Sequence, residues 1–133
     1  MRVLLADPHA VARNQLTELL QDRGHEVLLV EEADDCLESL QGMRPDLLLL
    51  ESQLPANGSA QVLTQLRSDR SSLTFPVILV SDDISLFDPR AYPNLVGWIR
   101  KPFRLSDLLV LMDYAKTQWP SHKKKTVVPQ RQL

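Results

Sequence analysis

Residues 45–55 read PDLLLLESQLP, in which four consecutive leucines end at a carboxylate and a polar turn with proline follows. A short, continuous apolar run between turn signals is typical of a strand that is buried on both faces of a parallel sheet. The stretch therefore predicts a strand over Leu47–Leu50 with Glu51 at its carboxyl end. Because ligands collect at that end of open parallel sheets, we take Glu51 as the centre of a candidate site.

Other short apolar runs predict four more strands, over residues 2–6, 25–30, 75–81 and 96–100. Helical patterns lie between them, over about 10–23, 34–41, 59–69 and 105–118, whereas the prolines in 82–95 leave room for one or two helical turns. Alternating strands and helices predict an α/β fold with a parallel sheet covered on both faces. We expect a flavodoxin-like (βα)5 three-layer sandwich with strand order 2-1-3-4-5.

Several finer expectations concern the helices. The first helix is expected to turn an apolar stripe inward, made of Val11, Ala12, Leu16, Leu19 and Leu20. Gly24 and Gly42 are expected to end the first and second helices. Asp34 or Asp35 is expected to cap the second helix, and Ser59 the third.

Composition limits the class of protein. The 133 residues suit one domain, over 1–119, followed by a basic segment over 120–133 that we interpret as a disordered tail or linker. No apolar run reaches the roughly 18 residues of a membrane span, and the N-terminus meets a charge too soon for a secretory signal. The single cysteine, Cys36, favours a reducing cytoplasm and a packing role.

Charge is divided unevenly along the chain. Four of the 15 basic residues lie in 120–133, so residues 1–119 hold 11 basic against 17 acidic residues. An acidic body does not favour nucleic-acid binding.

Four polar residues follow the predicted strands: Asp7 the first, Glu51 the third, Ser81 the fourth and Lys101 the fifth. In the expected strand order these residues converge beside the switch point between strands 1 and 3. Two carboxylates, a hydroxyl and an ammonium group predict a site for an anion or a metal. The three histidines, His9, His25 and His122, are scattered in the sequence, and we assign them solvated or packing roles rather than metal binding.

The motifs together resemble the receiver domain of two-component response regulators, over residues 2 to about 118. The resemblance is carried by LLAD at 4–7, RPDLLLL at 44–50, LP at 54–55, VS at 80–81 and KPF at 101–103. The intervals of 44 residues from Asp7 to Glu51 and 30 from Glu51 to Ser81 match the layout of that family.

The resemblance implies a role for each position. In the family, two acids after the first strand and an aspartate after the third hold Mg²⁺, and that aspartate takes a phosphoryl group from a histidine kinase. Ser81 and Lys101 stand where a hydroxyl and a lysine grip the phosphoryl oxygens. Trp98 stands where an aromatic side chain moves inward, and the implied role is signalling rather than enzymatic catalysis.

This chain departs from the family at two positions. Pro8 replaces one acid and offers neither a side-chain ligand nor a backbone N–H. Glu51 replaces the aspartate, and its carboxylate lies roughly 1.5 Å further out, one C–C bond length. We therefore expect Mg²⁺ binding to be weak or absent, with no cofactor and no catalytic residue. We expect Glu51 to reach Lys101 and Ser81 directly, as an internal occupant of the pocket.

The preferred interpretation is an atypical receiver that acts as a phosphorylation-independent protein-interaction module. The first alternative is a working phosphoacceptor in a phosphorelay. A flavin- or nucleotide-binding protein is disfavoured, because residues 7–10 contain no glycine and place an acid where a phosphate needs N–H groups.

Protein partners, a histidine kinase or an effector, are expected, with neither nucleic acid nor membrane. A homodimer is expected to use the surface that the family forms from its fourth helix, fifth strand and fifth helix. That surface would present Asp82, Asp83, Asp88, Arg90, Tyr92 and Arg100.

Overall fold

The computed structural model describes residues 1–68, 75–83 and 88–118. Its five strands are β1 (Arg2–Ala6), β2 (Glu26–Val30), β3 (Leu47–Glu51), β4 (Val77–Ser81) and β5 (Leu95–Arg100). Its four α-helices in those residues are α1 (Ala10–Gln21), α2 (Ala33–Met43), α3 (Gly58–Ser68) and α4 (Leu105–Gln118). Short 3-10 turns occupy Pro55–Asn57 and Pro89–Ala91.

All neighbouring strands pair in parallel, in the order β2-β1-β3-β4-β5. The predicted fold class and strand order are therefore confirmed. Within the described residues, the last helix, α4, has the predicted bounds. None of the helices in the described residues has the length and apolar composition of a membrane span.

β3 is the central strand, and every one of its five residues is buried. Leu48 and Leu50 belong to the cluster that packs under α2 and α3. Leu47 and Leu49 belong to the cluster that packs under α1 and α4. Because successive side chains of a strand point to opposite faces, an unbroken leucine run is what a strand between two helical layers requires.

The predicted inner stripe of α1 is wrong at most of its positions. Val11 is 72% exposed and Leu19 41% exposed, whereas Leu20 is fully buried. The buried face consists of Arg13, Thr17 and Leu20, with Leu16 partly buried beside them. Polar side chains occupy the inner face because the Thr17 hydroxyl bonds to the carbonyl of Arg13 and the Arg13 guanidinium reaches the carbonyl of Asp7.

Gly24 ends α1 as predicted, whereas the prediction that Gly42 ends α2 is wrong. Gly24 has a φ of +87° just beyond α1, as a helix-ending glycine requires. Gly42 lies inside α2, which continues because Met43 still packs against the core. Arg44 takes the left-handed conformation that ends the helix, with a φ of 52°.

The predicted caps are not made. Asp34 and Asp35 lie in the first turn of α2, whose N-cap is Glu32 and carries no side-chain bond. Ser59 lies inside α3, where its hydroxyl donates to the carbonyl of Glu51 at 2.6 Å. Ser59 therefore bonds α3 to the end of β3 and does not cap its own helix.

Cys36 is fully buried, and burial raises the pKa of its thiol to about 12. A protonated, enclosed thiol acts as a small packing group. The predicted basic tail over 120–133 lies outside the described residues.

Two neighbouring leucines of α1 give a matched test of the corrected packing. Leu20→Ala should lower the free energy of unfolding by about 2–5 kcal/mol, because it leaves a cavity in the core. Leu19→Ala should lower it by less than about 1 kcal/mol, because that side chain is partly in solvent. Urea denaturation followed by circular dichroism measures both, and equal losses would contradict the placement of α1.

Candidate functional site

The sheet gathers the predicted polar residues at its carboxyl end. Asp7 follows β1, Glu51 and Ser81 are the last residues of β3 and β4, and Lys101 follows β5. Backbone bonds fix the register at this end, because Ser52 N–H donates to Val80 O at 2.8 Å and Lys101 N–H to Ser81 O at 2.9 Å. The strand ends therefore meet around one pocket.

Glu51 is only 2% exposed, and both of its carboxylate oxygens have partners. The Lys101 ammonium nitrogen contacts Oε2 in an ion pair. The backbone N–H of Gln53 donates to Oε1 at 2.7 Å. A buried carboxylate needs this kind of compensation, since an unpaired charge in the interior is costly.

The Ser81 hydroxyl is fully buried, and its hydrogen bonds run to residues other than Glu51. It donates to the carbonyl of Asp83 at 3.0 Å and accepts from the Asp83 N–H at 3.0 Å. It also accepts from the hydroxyl of Ser52 at 2.8 Å, and Ser52 Oγ lies 3.5 Å from Glu51 Oε1. The expected direct contact of Glu51 with Ser81 is thus replaced by a link through Ser52.

Asp7 is buried, and its carboxylate is turned toward His9. The His9 N–H donates to Asp7 Oδ1 at 2.8 Å, and His9 Nδ1 lies 3.0 Å from the same oxygen. Arg13 supports this corner from α1, since it donates to the Asp7 carbonyl at 2.9 Å and pairs with Glu31 at 3.5 Å.

Trp98 is partly buried and packs against the cluster under α2 and α3, together with Tyr92. The Arg67 guanidinium lies over the Tyr92 ring, 5.1 Å from its centre. These side chains lie beside the connection between β4 and β5. The 3-10 turn Pro89–Ala91 lies in that connection, and residues 84–87 fall outside the described part.

Sequence reasoning missed three residues of the site. His9 was assigned a solvated or packing role, although its place two residues after a strand-end acid was a usable signal. Ser52, which links Glu51 to Ser81, directly follows Glu51 in the sequence. Arg13 gave no signal, because a charged residue in an amphipathic helix is normally placed on the outer face.

The chain matches a known family over most of its length. Residues 3–113 match the response regulator receiver domain. The chain belongs to that family. Receiver domains are generally signalling modules.

The similar proteins are response regulators and receiver domains. "Response regulator MprA" of Mycobacterium avium is 30% identical over 112 residues, which are 84% of this chain and 49% of that protein. The receiver domain thus spans about half the length of the curated relatives it matches.

Solved structures share the fold at lower identity. A putative response regulator from Chloroflexus aurantiacus has a TM-score of 0.77 at 20% identity, covering 87% of this chain and 97% of that one. The receiver domain of a Pseudomonas aeruginosa sensor histidine kinase, which has a magnesium ion in its active site cleft, has a TM-score of 0.74 at 20% identity. That alignment covers 86% of this chain and 95% of the other.

The residues of this receiver domain do not fit a magnesium ion well. Mg²⁺ requires near-octahedral oxygen coordination. Pro8 supplies no ligand, Glu51 is turned to Lys101, and the group beside Asp7 is the imidazole of His9. Among the described residues, the donor group found here consists of two carboxylates and an imidazole, whereas Mg²⁺ prefers oxygen ligands throughout.

A double-mutant cycle measures the ion pair. Lys101→Met should lower the free energy of unfolding by about 1–3 kcal/mol, because it leaves Glu51 buried without its counter-charge. That estimate is below the value for fully buried pairs because the Lys101 side chain is 29% exposed. In a Glu51→Gln background the same change should cost less than about 1 kcal/mol. Equal costs in the two backgrounds, measured by urea denaturation, would show that the pair carries no coupling.

Proposed function

We propose that this receiver domain is a phosphorylation-independent protein-interaction module. The observation that carries the proposal is the ion pair between Glu51 and Lys101. In the family resemblance, Lys101 is the group that grips a phosphoryl oxygen, and here the Glu51 carboxylate engages it. Glu51, at the phosphoacceptor position, is thereby paired with Lys101, the residue that would bind the phosphoryl group.

Two further features support a pocket without phosphoryl chemistry. Phosphoryl transfer depends on positioning and on neutralisation of the developing charge, for which metal ions are the usual means. The donor set around Asp7 fits Mg²⁺ poorly, so weak or absent Mg²⁺ binding is part of the proposal. The Ser81 hydroxyl already has three hydrogen bonds, so a phosphoryl oxygen would have to displace one of them.

Phosphorylation gives the direct test. The chain is incubated with acetyl phosphate and Mg²⁺, and its intact mass is measured. We expect no covalent phosphoryl group on the wild-type chain, because its carboxylate is displaced and paired. A stoichiometric gain of one phosphoryl group would overturn the proposal in favour of a working phosphoacceptor in a phosphorelay.

A matched variant makes the negative result informative. Pro8→Asp combined with Glu51→Asp restores the acid pair and the shorter carboxylate of the family. This double variant should gain a phosphoryl group under the same conditions. If neither protein gains one, a receiver with the usual aspartate, treated in parallel, establishes whether the reaction conditions are competent.

The partners in this proposal are proteins, either a histidine kinase or an effector. For self-association we propose the surface around β5, α4 and the connection from β4 to β5. Arg90 and Arg100 are exposed there. Arg90 also donates its backbone N–H to Asp88 at 2.9 Å, and this bond holds the pKa of Asp88 below its usual value. A carboxylate that stays ionised beside exposed arginines gives this surface charges of both signs, which suits an isologous contact.

Charge reversal tests that surface. Arg90→Glu with Arg100→Glu should shift the wild-type dimer toward monomer in sedimentation velocity, because like charges would then face each other. Arg23→Glu with Arg44→Glu makes the same change in net charge on the loops after α1 and α2, and it should leave the dimer intact. A wild-type chain that is monomeric throughout, or a dimer that survives the first pair of changes, contradicts this part of the proposal.

A further inference from the structure

Three donor atoms converge at the carboxyl end of the sheet. One ligand atom each from Asp7, His9 and Glu51 lies within 4.8 Å of the other two. Two of these residues are buried acids, and the side chain of His9 is half exposed. The cluster is therefore not an ordinary group of solvated surface acids, and its imidazole opens toward solvent.

We propose that Asp7, His9 and Glu51 form a site for a divalent transition metal of the zinc class, in preference to Mg²⁺. Imidazole and carboxylate together suit Zn²⁺ and Ni²⁺, whereas Mg²⁺ favours oxygen ligands throughout. The half-exposed side chain of His9 gives the ion a path of entry from solvent.

One pair of the donor atoms is already at the spacing of adjacent ligands of one ion, and the other pairs are at most 4.8 Å apart. His9 Nδ1 and Asp7 Oδ1 are 3.0 Å apart. Two ligand atoms that each lie about 2.1 Å from a metal are about 3.0 Å apart at a right angle and about 3.4 Å apart at the tetrahedral angle. Because the three atoms lie within 4.8 Å, no pair needs to close by more than about 1.4 Å to reach tetrahedral spacing.

A bound metal ion and the Lys101 ammonium would compete for the Glu51 carboxylate. Asp7 and Glu51 contribute two negative charges, and Lys101 neutralises one of them through Glu51. Arg13 donates to the backbone carbonyl of Asp7, and its guanidinium pairs with Glu31. The ion would therefore draw Glu51 away from Lys101. This inference rests on the proposed function, because it takes Glu51 as an ion-pairing group and not as a phosphoacceptor.

Calorimetric titration with Zn²⁺ is the test, on the wild-type chain and on His9→Gln. We expect one Zn²⁺ per chain, with affinity at least about tenfold lower in His9→Gln, since loss of even a supporting partner costs ten- to hundredfold. An excess of Mg²⁺ should not displace the zinc. His9 is half exposed, so its replacement should leave the fold intact, and circular dichroism checks this.

The other two histidines provide the controls, because His25 Nδ1 lies 3.0 Å from the N-terminal nitrogen and could bind zinc with it. His25→Gln and His122→Gln should keep wild-type affinity. Loss of binding in either of them, with binding kept in His9→Gln, overturns the assignment, as does the absence of saturable binding to the wild-type chain.

Lys101→Met tests whether Glu51 is a ligand. Removing the competing ammonium should raise Zn²⁺ affinity by about tenfold or more, because opposite charges at close range interact strongly in a partly buried site. Unchanged affinity in this variant overturns the three-residue site. The outcome is separable from the phosphorylation test, since failure of zinc to bind leaves the mass measurement unaffected, and phosphoryl uptake leaves the titration readable.

Discussion

A carboxylate that is almost wholly withdrawn from water has to be compensated, and in this fold the compensation comes from Lys101. Glu51 is 2% exposed, and a buried carboxylate is costly unless an opposite charge and hydrogen-bond donors lie close to it. The ammonium of Lys101 and the N–H of Gln53 supply these. The rest of the pocket adapts to that arrangement, because the Ser81 hydroxyl is bonded to Ser52 and Asp83 instead of Glu51.

The sheet makes this pairing possible. The buried leucines of β3 place Glu51 at the carboxyl end of the central strand. Pairing of β4 with β5 brings Lys101 to the same end of the sheet. α3 is tied to this point by the Ser59 hydroxyl, which bonds to the Glu51 carbonyl. The backbone therefore sets the distance between the end of β3 and Lys101, and the glutamate side chain is long enough to span it.

The fold was predictable because apolar runs and strand-end residues at several places in the chain all indicate the same parallel sheet. An unbroken leucine run specifies a strand between two layers, and strand-end residues in parallel strands must meet. The inner face of α1 was not predictable from hydrophobicity, because the buried side chains of Arg13 and Thr17 each donate a hydrogen bond to a backbone carbonyl while Val11 lies in solvent. His9 was missed for a related reason. The turn after β1 brings His9 to Asp7, and the hydrophobic periodicity of the sequence gives no information about the conformation of that turn.

If the ion pair between Glu51 and Lys101 fills the pocket, as we propose, a phosphoryl group cannot bind to Lys101. Titration with beryllofluoride and Mg²⁺, observed through the amide resonances of Ser81 and Lys101 and the indole resonance of Trp98, tests it most directly. We expect the spectra not to change at saturating beryllofluoride. Saturable shifts at these three residues would contradict it, because they would show that the pocket accepts a phosphoryl mimic and responds to it.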